Sequence, residues 1–393
     1  MIMAVTWAIM NPFGTATRVY ASLYYLELGA GPVEVGLISL AGFVTVAFSR
    51  LIGGYLADSV GRKKIIVPMT MVYGLASLLY AVATDWTWIL IASILSSLAL
   101  LYQPAIQAIL ADTLPPEVRG RGLSAANTVA QIASLAGPPL ATLMVSKMSL
   151  EPAMRLLYTL HAGSIFLAGL IRIGFVETLQ ERSKPSFRSA VREYMTALKE
   201  LKGDLGKFLL LSSAATALYQ TAFPYIQIYA VKDLGISEEF WGLISTVTSV
   251  ESVISTLISG YLTDKMGRNL SLALGYASGA CGLAILALAP PNSPLVVLLS
   301  QVVAVAFISW PARFALFADL TSVRSRGKLT AIMGLIRGNL SGAASALGGV
   351  LYEAGPKLTF GLTALALVPV ALLSAVWLPH GVRVRERMAD VKD

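Results

Sequence analysis

The chain of 393 residues is poor in charge: Asp, Glu, Lys and Arg make up 13% of it, against 56% hydrophobic residues. No packed core takes up that much apolar surface, so the composition excludes a water-soluble globule and calls for lipid as solvent. The single cysteine, Cys281, excludes a disulfide framework within the chain. His161 and His380 are the only histidines, too few for a metal site or a histidine-based hydrolytic triad, and no phosphate-binding Walker loop precedes a helix. The expectation is a protein without enzymatic activity, cofactor or metal.

What is abundant is apolar sequence in runs of about 18 to 25 residues, each long enough to cross a bilayer as a helix that satisfies its own backbone. They fall at 3–26, 34–57, 65–84, 87–111, 122–146, 154–176, 207–231, 239–262, 269–289, 294–318, 328–351 and 357–378. The fold class expected is therefore all-α and membrane-integral, with twelve spans. Met1 to Met10 lacks the basic start of a cleaved signal and runs on past Pro12, so it is read as part of the first span.

The net charge of +8 does not indicate nucleic acid, because the basic residues alternate between loops instead of sharing a face. Arg62, Lys63, Lys64, Arg119, Arg121, the cluster from Arg182 to Lys207, Lys265, Arg268, Arg324, Arg326, Lys328 and the tail from Arg383 to Lys392 all fall on one side. Glu34, Asp85, Glu151, Glu238, Glu239 and Glu353 fall on the other. By the positive-inside rule the basic side is cytoplasmic and both termini lie there, which suits a cell membrane. The one long hydrophilic stretch divides the spans six and six. Domains are expected at 1–176 and 207–379, with a linker at 177–206 and a tail at 380–393. Within the linker, Phe187, Val191, Tyr194, Met195, Leu198 and Leu201 recur at helical spacing, the pattern of a helix lying on a surface.

The halves repeat each other. Gly54-Tyr55-Leu56-Ala57-Asp58-Ser59-Val60-Gly61-Arg62 returns as Gly260-Tyr261-Leu262-Thr263-Asp264-Lys265-Met266-Gly267-Arg268. Pro104, Ala111-Asp112 and Arg119-Gly120 return as Pro311, Ala318-Asp319 and Arg326-Gly327. Two copies of one membrane unit are the sequence signature of a repeat-built transporter. The Gly54 to Lys64 stretch resembles the loop between the second and third helices of the major facilitator superfamily, Gly-x-Leu-(Ala/Ser)-Asp-(Arg/Lys)-x-Gly-(Arg/Lys)-(Arg/Lys). Ser59 departs from that pattern, while Lys265 keeps it. The resemblance implies two six-helix bundles related by a pseudo-two-fold repeat, a monomer, and a gate on the basic side built from Asp58, Gly61, Arg62 and Asp112 and from Asp264, Lys265, Arg268 and Asp319. Ala136-Gly137-Pro138-Pro139 partly resembles the fifth-helix motif of exporting members, without its flanking glycines; a simple proline kink explains it equally well.

Ionisable groups at membrane depth are costly and by default face a cavity. Glu251 is the one acid placed near mid-span. Arg18, Arg50, Arg313 and Arg337 are its basic counterparts, with Arg18 and Arg337 the better ligand candidates. Glu251 reads as a proton carrier, as a counter-charge for a cationic solute, or as an ion-pair partner of Arg337 or Arg313. Asn11, Thr15, Arg18, Ser22 and Tyr25 share one face of the first helix. Gln103 and Gln107, Gln131, and Gln220 and Gln227 add polar stripes on the fourth, fifth and seventh. The resemblance places helices one, four, seven and ten around a central cavity. Tyr20, Tyr24, Tyr219, Tyr225 and Trp310 are candidates to shape that cavity, whereas His161 reads as a packing residue.

These features point to a secondary transporter working by alternating access, with proton-coupled efflux of a small organic solute, as in drug exporters, as the leading reading. The alternative is transport of an organic or phosphorylated anion through the membrane arginines. An uncoupled channel or lipid scramblase is a remote third. The partners expected are a small-molecule substrate, a proton or other coupling ion, and membrane lipids.

Overall fold

The computed structural model describes residues 2–115, 119–179, 198, 201–322 and 325–381, apart from the side chains of Asp58, Arg119, Arg121 and Leu123. Phe187, Val191, Tyr194 and Met195 of the expected linker stripe lie outside the described residues. Among those described, regular structure is helical throughout.

Among the described residues nine helices are long and apolar enough to cross a membrane: Pro32–Ala57, Arg62–Val82, Trp86–Thr113, Ser124–Lys147 and Leu150–Arg172, then Glu238–Met266, Arg268–Ala287, Pro294–Leu320 and Pro356–Trp377. Three less apolar helical stretches complete the twelve expected spans. The first span is Ile2–Val19 followed by Ala21–Glu27, the seventh begins as Gly203–Ala222, and the eleventh is Arg326–Ala354. Polar residues interrupt all three, among them Arg18, Gln220 and Arg337.

The fourth and tenth spans break at matching places. Trp86–Ala99 passes through a tight turn at Leu100–Tyr102 into Gln103–Thr113, which starts with Pro104 at its second position. Pro294–Val305 stops and Trp310–Leu320 resumes with Pro311 at its second position. Proline has no N–H to give, and in lipid the backbone groups freed at such a break must find partners within the protein. In the tenth span two serines supply them. The Ser278 hydroxyl donates to the Val303 carbonyl and accepts the Phe307 N–H at 3.3 Å, while Ser259 accepts the Ile308 N–H at 2.9 Å. At the matching place in the first half, Gly53 lies so close to the Leu101 carbonyl that a Cβ cannot be accommodated.

By contact the chain divides into two compact units, Met1–Ala190 with Glu238–Thr246, and Val191–Ser237 with Val247–Asp393. In the first, the start of the eighth span is held by Trp241 Nε1, which donates to the Val19 carbonyl at 2.9 Å, and by Tyr20, whose hydroxyl donates to the Glu238 carbonyl at 2.8 Å. Small residues let helices approach, the usual device where lipid removes any hydrophobic drive between them: Gly74 lies against the Phe166 ring and Gly169 against Met71. Arg155 Nη1 and Nη2 tie the sixth span to the Ala81 and Ala83 carbonyls at the end of the third. In the second unit, Gly282 packs on Ala304 and the Ser300 carbonyl, and Gly348 on the Thr221 carbonyl.

Candidate functional site

The two repeated loops fold alike. Gly61 has φ 117° and Gly267 φ 91°, a region that glycine occupies without the penalty a Cβ brings, so each loop turns sharply into a helix beginning with arginine. In the first unit Arg62 Nη1 pairs with the Asp112 carboxylate and donates to Thr178 Oγ1 at 2.8 Å. Sequence reasoning missed the residue beneath this pair, Glu177. Its carboxylate accepts the backbone N–H groups of Arg62 at 3.2 Å and Lys63 at 3.1 Å, and those of Thr178 and Leu179 at 3.1 Å. Burial pushes the Glu177 carboxyl upward, but the N–H groups of Leu179, Arg62, Lys63 and Thr178 outweigh it and hold the group below the usual carboxylate range. The available signal was an acid directly after the sixth span, at the head of a basic linker.

In the second unit Arg268 Nη1 contacts Asp264 Oδ1 at 2.7 Å and the Thr263 carbonyl at 2.9 Å, and its Nε lies 3.4 Å from Asp319 Oδ2. Lys265 stands apart from this group, its Nζ lying 5.3 Å over the Tyr261 ring. At the place that Glu177 takes beside Gly61, the second loop has His380 beside Gly267. The His380 carbonyl accepts the Arg268 N–H at 3.2 Å, and its ring lies directly over Gly267.

The polar stripe of the first span divides. Asn11 Nδ2 donates to the Ala130 carbonyl at 3.2 Å, and Thr15, whose hydroxyl donates within its own helix to the Asn11 carbonyl at 2.8 Å, packs beside Gly137, so both serve the join between the first and fifth spans. Arg18 is exposed and Ser22 buried. Gly137 meets the Pro12 carbonyl, Thr15 and Ala16 at van der Waals limits, and the fifth span breaks just before it, between Ser134 and Gly137. The Ala136-Gly137-Pro138-Pro139 segment thus has a packing role. Gln103 Oε1 accepts from Arg50 Nε at 3.0 Å, while Gln107 and Gln131 are exposed.

Three aromatic candidates for shaping a cavity are corrected. Tyr20, Tyr24 and Tyr225 are fully buried, and their hydroxyls donate to the backbone carbonyls of Glu238, Tyr80 and Ser345. They are packing residues, because neither ring nor hydroxyl is left to meet a solute. His161 is also packed, against Gly14, with Nδ1 3.2 Å from Ser77 Oγ.

In the second unit Arg337 Nη2 donates to Ser212 Oγ at 3.1 Å and Arg313 Nη1 to Thr216 Oγ1 at 3.2 Å. Gln220 and Gln227 of the same seventh span are half-buried. Glu251 is half-buried with its Oε2 enclosed and without a hydrogen-bond partner. Among the described residues it forms no ion pair with Arg313 or Arg337, so the ion-pair reading finds no support. A buried charge that sequence reasoning overlooked is Arg172, which is fully enclosed in the first unit. It donates to Thr70 Oγ1 at 2.8 Å and lies 5.3 Å over the Tyr102 ring. Its place three residues before Phe175, near a span end, gave no sequence signal of burial.

A family model described as Major Facilitator Superfamily matches residues 2–237 and 208–392. An Na(+), Li(+), K(+)/H(+) antiporter of Planococcus maritimus is 30% identical over 168 residues, 41% of this chain and 38% of that protein, so the match spans well under half of the relative. An uncharacterised MFS-type transporter of Methanocaldococcus jannaschii is 24% identical over 342 residues, covering 85% of this chain and 83% of the relative. Among solved structures, a D-xylose–proton symporter superposes with a TM-score of 0.74 at 17% identity, over 96% of this chain and 97% of that one.

Proposed function

The chain belongs to the major facilitator superfamily, and from that premise we propose that this secondary transporter moves a small organic solute out of the cell in exchange for protons. The basic loops and both termini then face the cytoplasm of a cell membrane, and the protein works as a monomer. The observation that carries the coupling is Glu251, a membrane carboxyl that forms no ion pair with an arginine among the described residues and whose Oε2 has no hydrogen-bond partner. An ionised carboxylate in that setting costs several kcal/mol, so a state that closes around it favours the proton-bearing form, and a state that opens it to water favours release. Opposed proton and solute flux also fits the relative named as a cation/proton antiporter.

The latches supply the alternation. Arg62 with Asp112 and Arg268 with Asp264 and Asp319 hold the basic ends of the helices in one arrangement. Breaking and remaking such pairs is an exchange between two states of similar energy, as alternating access requires.

The test is proton flux in liposomes holding the purified protein and a pH-sensitive dye, with an imposed pH gradient and candidate solutes inside. Glu251→Gln is expected to abolish solute-driven proton movement while the protein stays folded. Wild-type proton coupling in that variant overturns the reading.

A further inference from the structure

We propose that Arg313 and Arg337, with the hydroxyls of Tyr276, Ser212 and Thr216, form a binding site for the anionic group of the transported solute: a carboxylate, phosphate or sulfonate on an organic body. This rests on the transporter reading above and names the solute's class.

Four spans of the second unit meet here. Ser212 and Thr216 stand one turn apart on the seventh span, Tyr276 is on the ninth, Arg313 on the tenth and Arg337 on the eleventh. Ser212 lies five residues past the start of the seventh apolar run at 207, roughly 7.5 Å into it at 1.5 Å per residue. The two guanidinium groups interact electrostatically with each other and with the Tyr276 hydroxyl. Neither has a carboxylate partner among the described residues; each is held by one neutral hydroxyl.

Two interacting like charges within the spans repel, and both side chains are half-buried. Charged side chains inside a protein are ordinarily paired, so two interacting arginines without a carboxylate partner among the described residues make a setting that favours an anionic group. Its unused donors say where the anion goes. Arg337 Nε is enclosed and unpartnered, and the Tyr276 hydroxyl, on a residue only 7% exposed, is unpartnered too. A guanidinium offering Nε and a terminal nitrogen matches the two oxygens of a carboxylate or phosphate, with Arg313 closing from the tenth span. The break at Val305 to Trp310 lies just before Arg313, at the place that matches the break in the fourth span, so this arginine rides on a segment that can shift as the solute enters or leaves.

The experiment is thermal unfolding of the full chain at constant ionic strength in phosphatidylcholine nanodiscs, with a second set of discs that contain phosphatidylglycerol as well. Inorganic phosphate, sulfate and benzoate are titrated against chloride, with choline as the cation counterpart. The expected result is a saturable rise in Tm with at least one of the three anions and none with choline. Arg337→Gln and Arg313→Gln are each expected to weaken the apparent affinity roughly ten- to hundred-fold, the loss of a charge-assisted bonding pair. Arg337→Lys keeps the charge, is expected to fold as wild type, and weakens binding by a smaller factor. Lys147→Gln, an exposed charge at the end of the fifth span, leaves binding unchanged. No anion effect in the wild type, an effect untouched in both arginine variants, or stabilisation only by phosphatidylglycerol in the disc each overturns the proposal; the last would assign the arginines to a lipid headgroup. Because the measurement needs no gradient, absent anion binding beside Glu251-dependent proton flux defeats this inference and leaves the coupling reading standing.

Discussion

Glu177 closes the helix that begins at Arg62: Oε1 accepts the Arg62 N–H at 3.2 Å while Oε2 takes the Lys63 N–H at 3.1 Å. The end of the sixth span is thereby fastened to the repeated loop, and Thr178 beside it receives the Arg62 side chain. In the second unit a backbone carbonyl, that of His380, occupies the corresponding place before Arg268. A carboxylate at a helix N-terminus meets both free N–H groups and the positive end of the helix dipole; a carbonyl meets only one N–H.

Glu177→Ala is therefore expected to lower stability by roughly 0.5–1 kcal/mol, the lower part of the capping range because the residue is exposed. The folded-state carboxyl is held below its ordinary range, so its contribution is present above the ordinary glutamate value and is lost as pH falls through the lowered one. The wild-type advantage in Tm over Glu177→Ala should be constant from neutral pH down to about pH 5 and shrink below about pH 4. An advantage independent of pH through that window would rule out the carboxylate as its source.

The two acids around Arg268 differ in exposure, and their removal should differ in cost. The Asp264 side chain is 78% exposed and that of Asp319 is 10% exposed. Asp264→Asn should cost about 0.5 kcal/mol or less, as solvent-screened pairs do. Asp319→Asn leaves the buried guanidinium facing a neutral amide and should cost about 2 kcal/mol or more. Chemical unfolding of the two variants in the same detergent checks the order; equal losses would count against the enclosed contact.

Gly137→Ala should destabilise by about 1–3 kcal/mol, because the added methyl meets the Pro12 carbonyl at 2.6 Å and Ala16 N at 2.8 Å and pushes the first span off the fifth. Gly163→Ala is the control: nothing lies within 4 Å, and alanine is the better helix former, so it should be neutral or stabilising. The comparison of their melting temperatures reads the close approach directly.

The architecture was legible because the constraints that build it are linear. Lipid demands long apolar helices, and duplication repeats Gly54 to Arg62 at Gly260 to Arg268. Site residues were less legible, since a polar side chain in a span serves a solute, a neighbouring helix or a broken backbone, and periodicity does not say which. Asn11 and Thr15 share a face with Arg18, yet they serve the join to the fifth span. Tyr276 carried no sequence signal, because a lone tyrosine among glycines and alanines gains meaning only once the tenth and eleventh spans bring arginines to it.

Arg172 poses the sharpest case of a charge whose removal should not hurt. It is fully buried, bonded to Thr70 Oγ1 and placed over the Tyr102 ring, with its Nε unpartnered and no carboxylate among the described residues paired to it. Burying a guanidinium costs several kcal/mol, and here two neutral hydrogen bonds, to Thr70 Oγ1 and Met10 Sδ, and a cation–π contact of about 2 kcal/mol offset it. Arg172→Met keeps the length of the side chain and removes the desolvation cost, so it should be neutral or stabilising. Thr70→Val takes away the hydroxyl and leaves the charge with less support, so it should destabilise by about 1–3 kcal/mol. In the double variant the hydroxyl has nothing left to bond, and the Thr70 loss should fall toward zero, a coupling that a double-mutant cycle of unfolding free energies measures. A large loss from Arg172→Met alone would mean that the guanidinium holds an anion there.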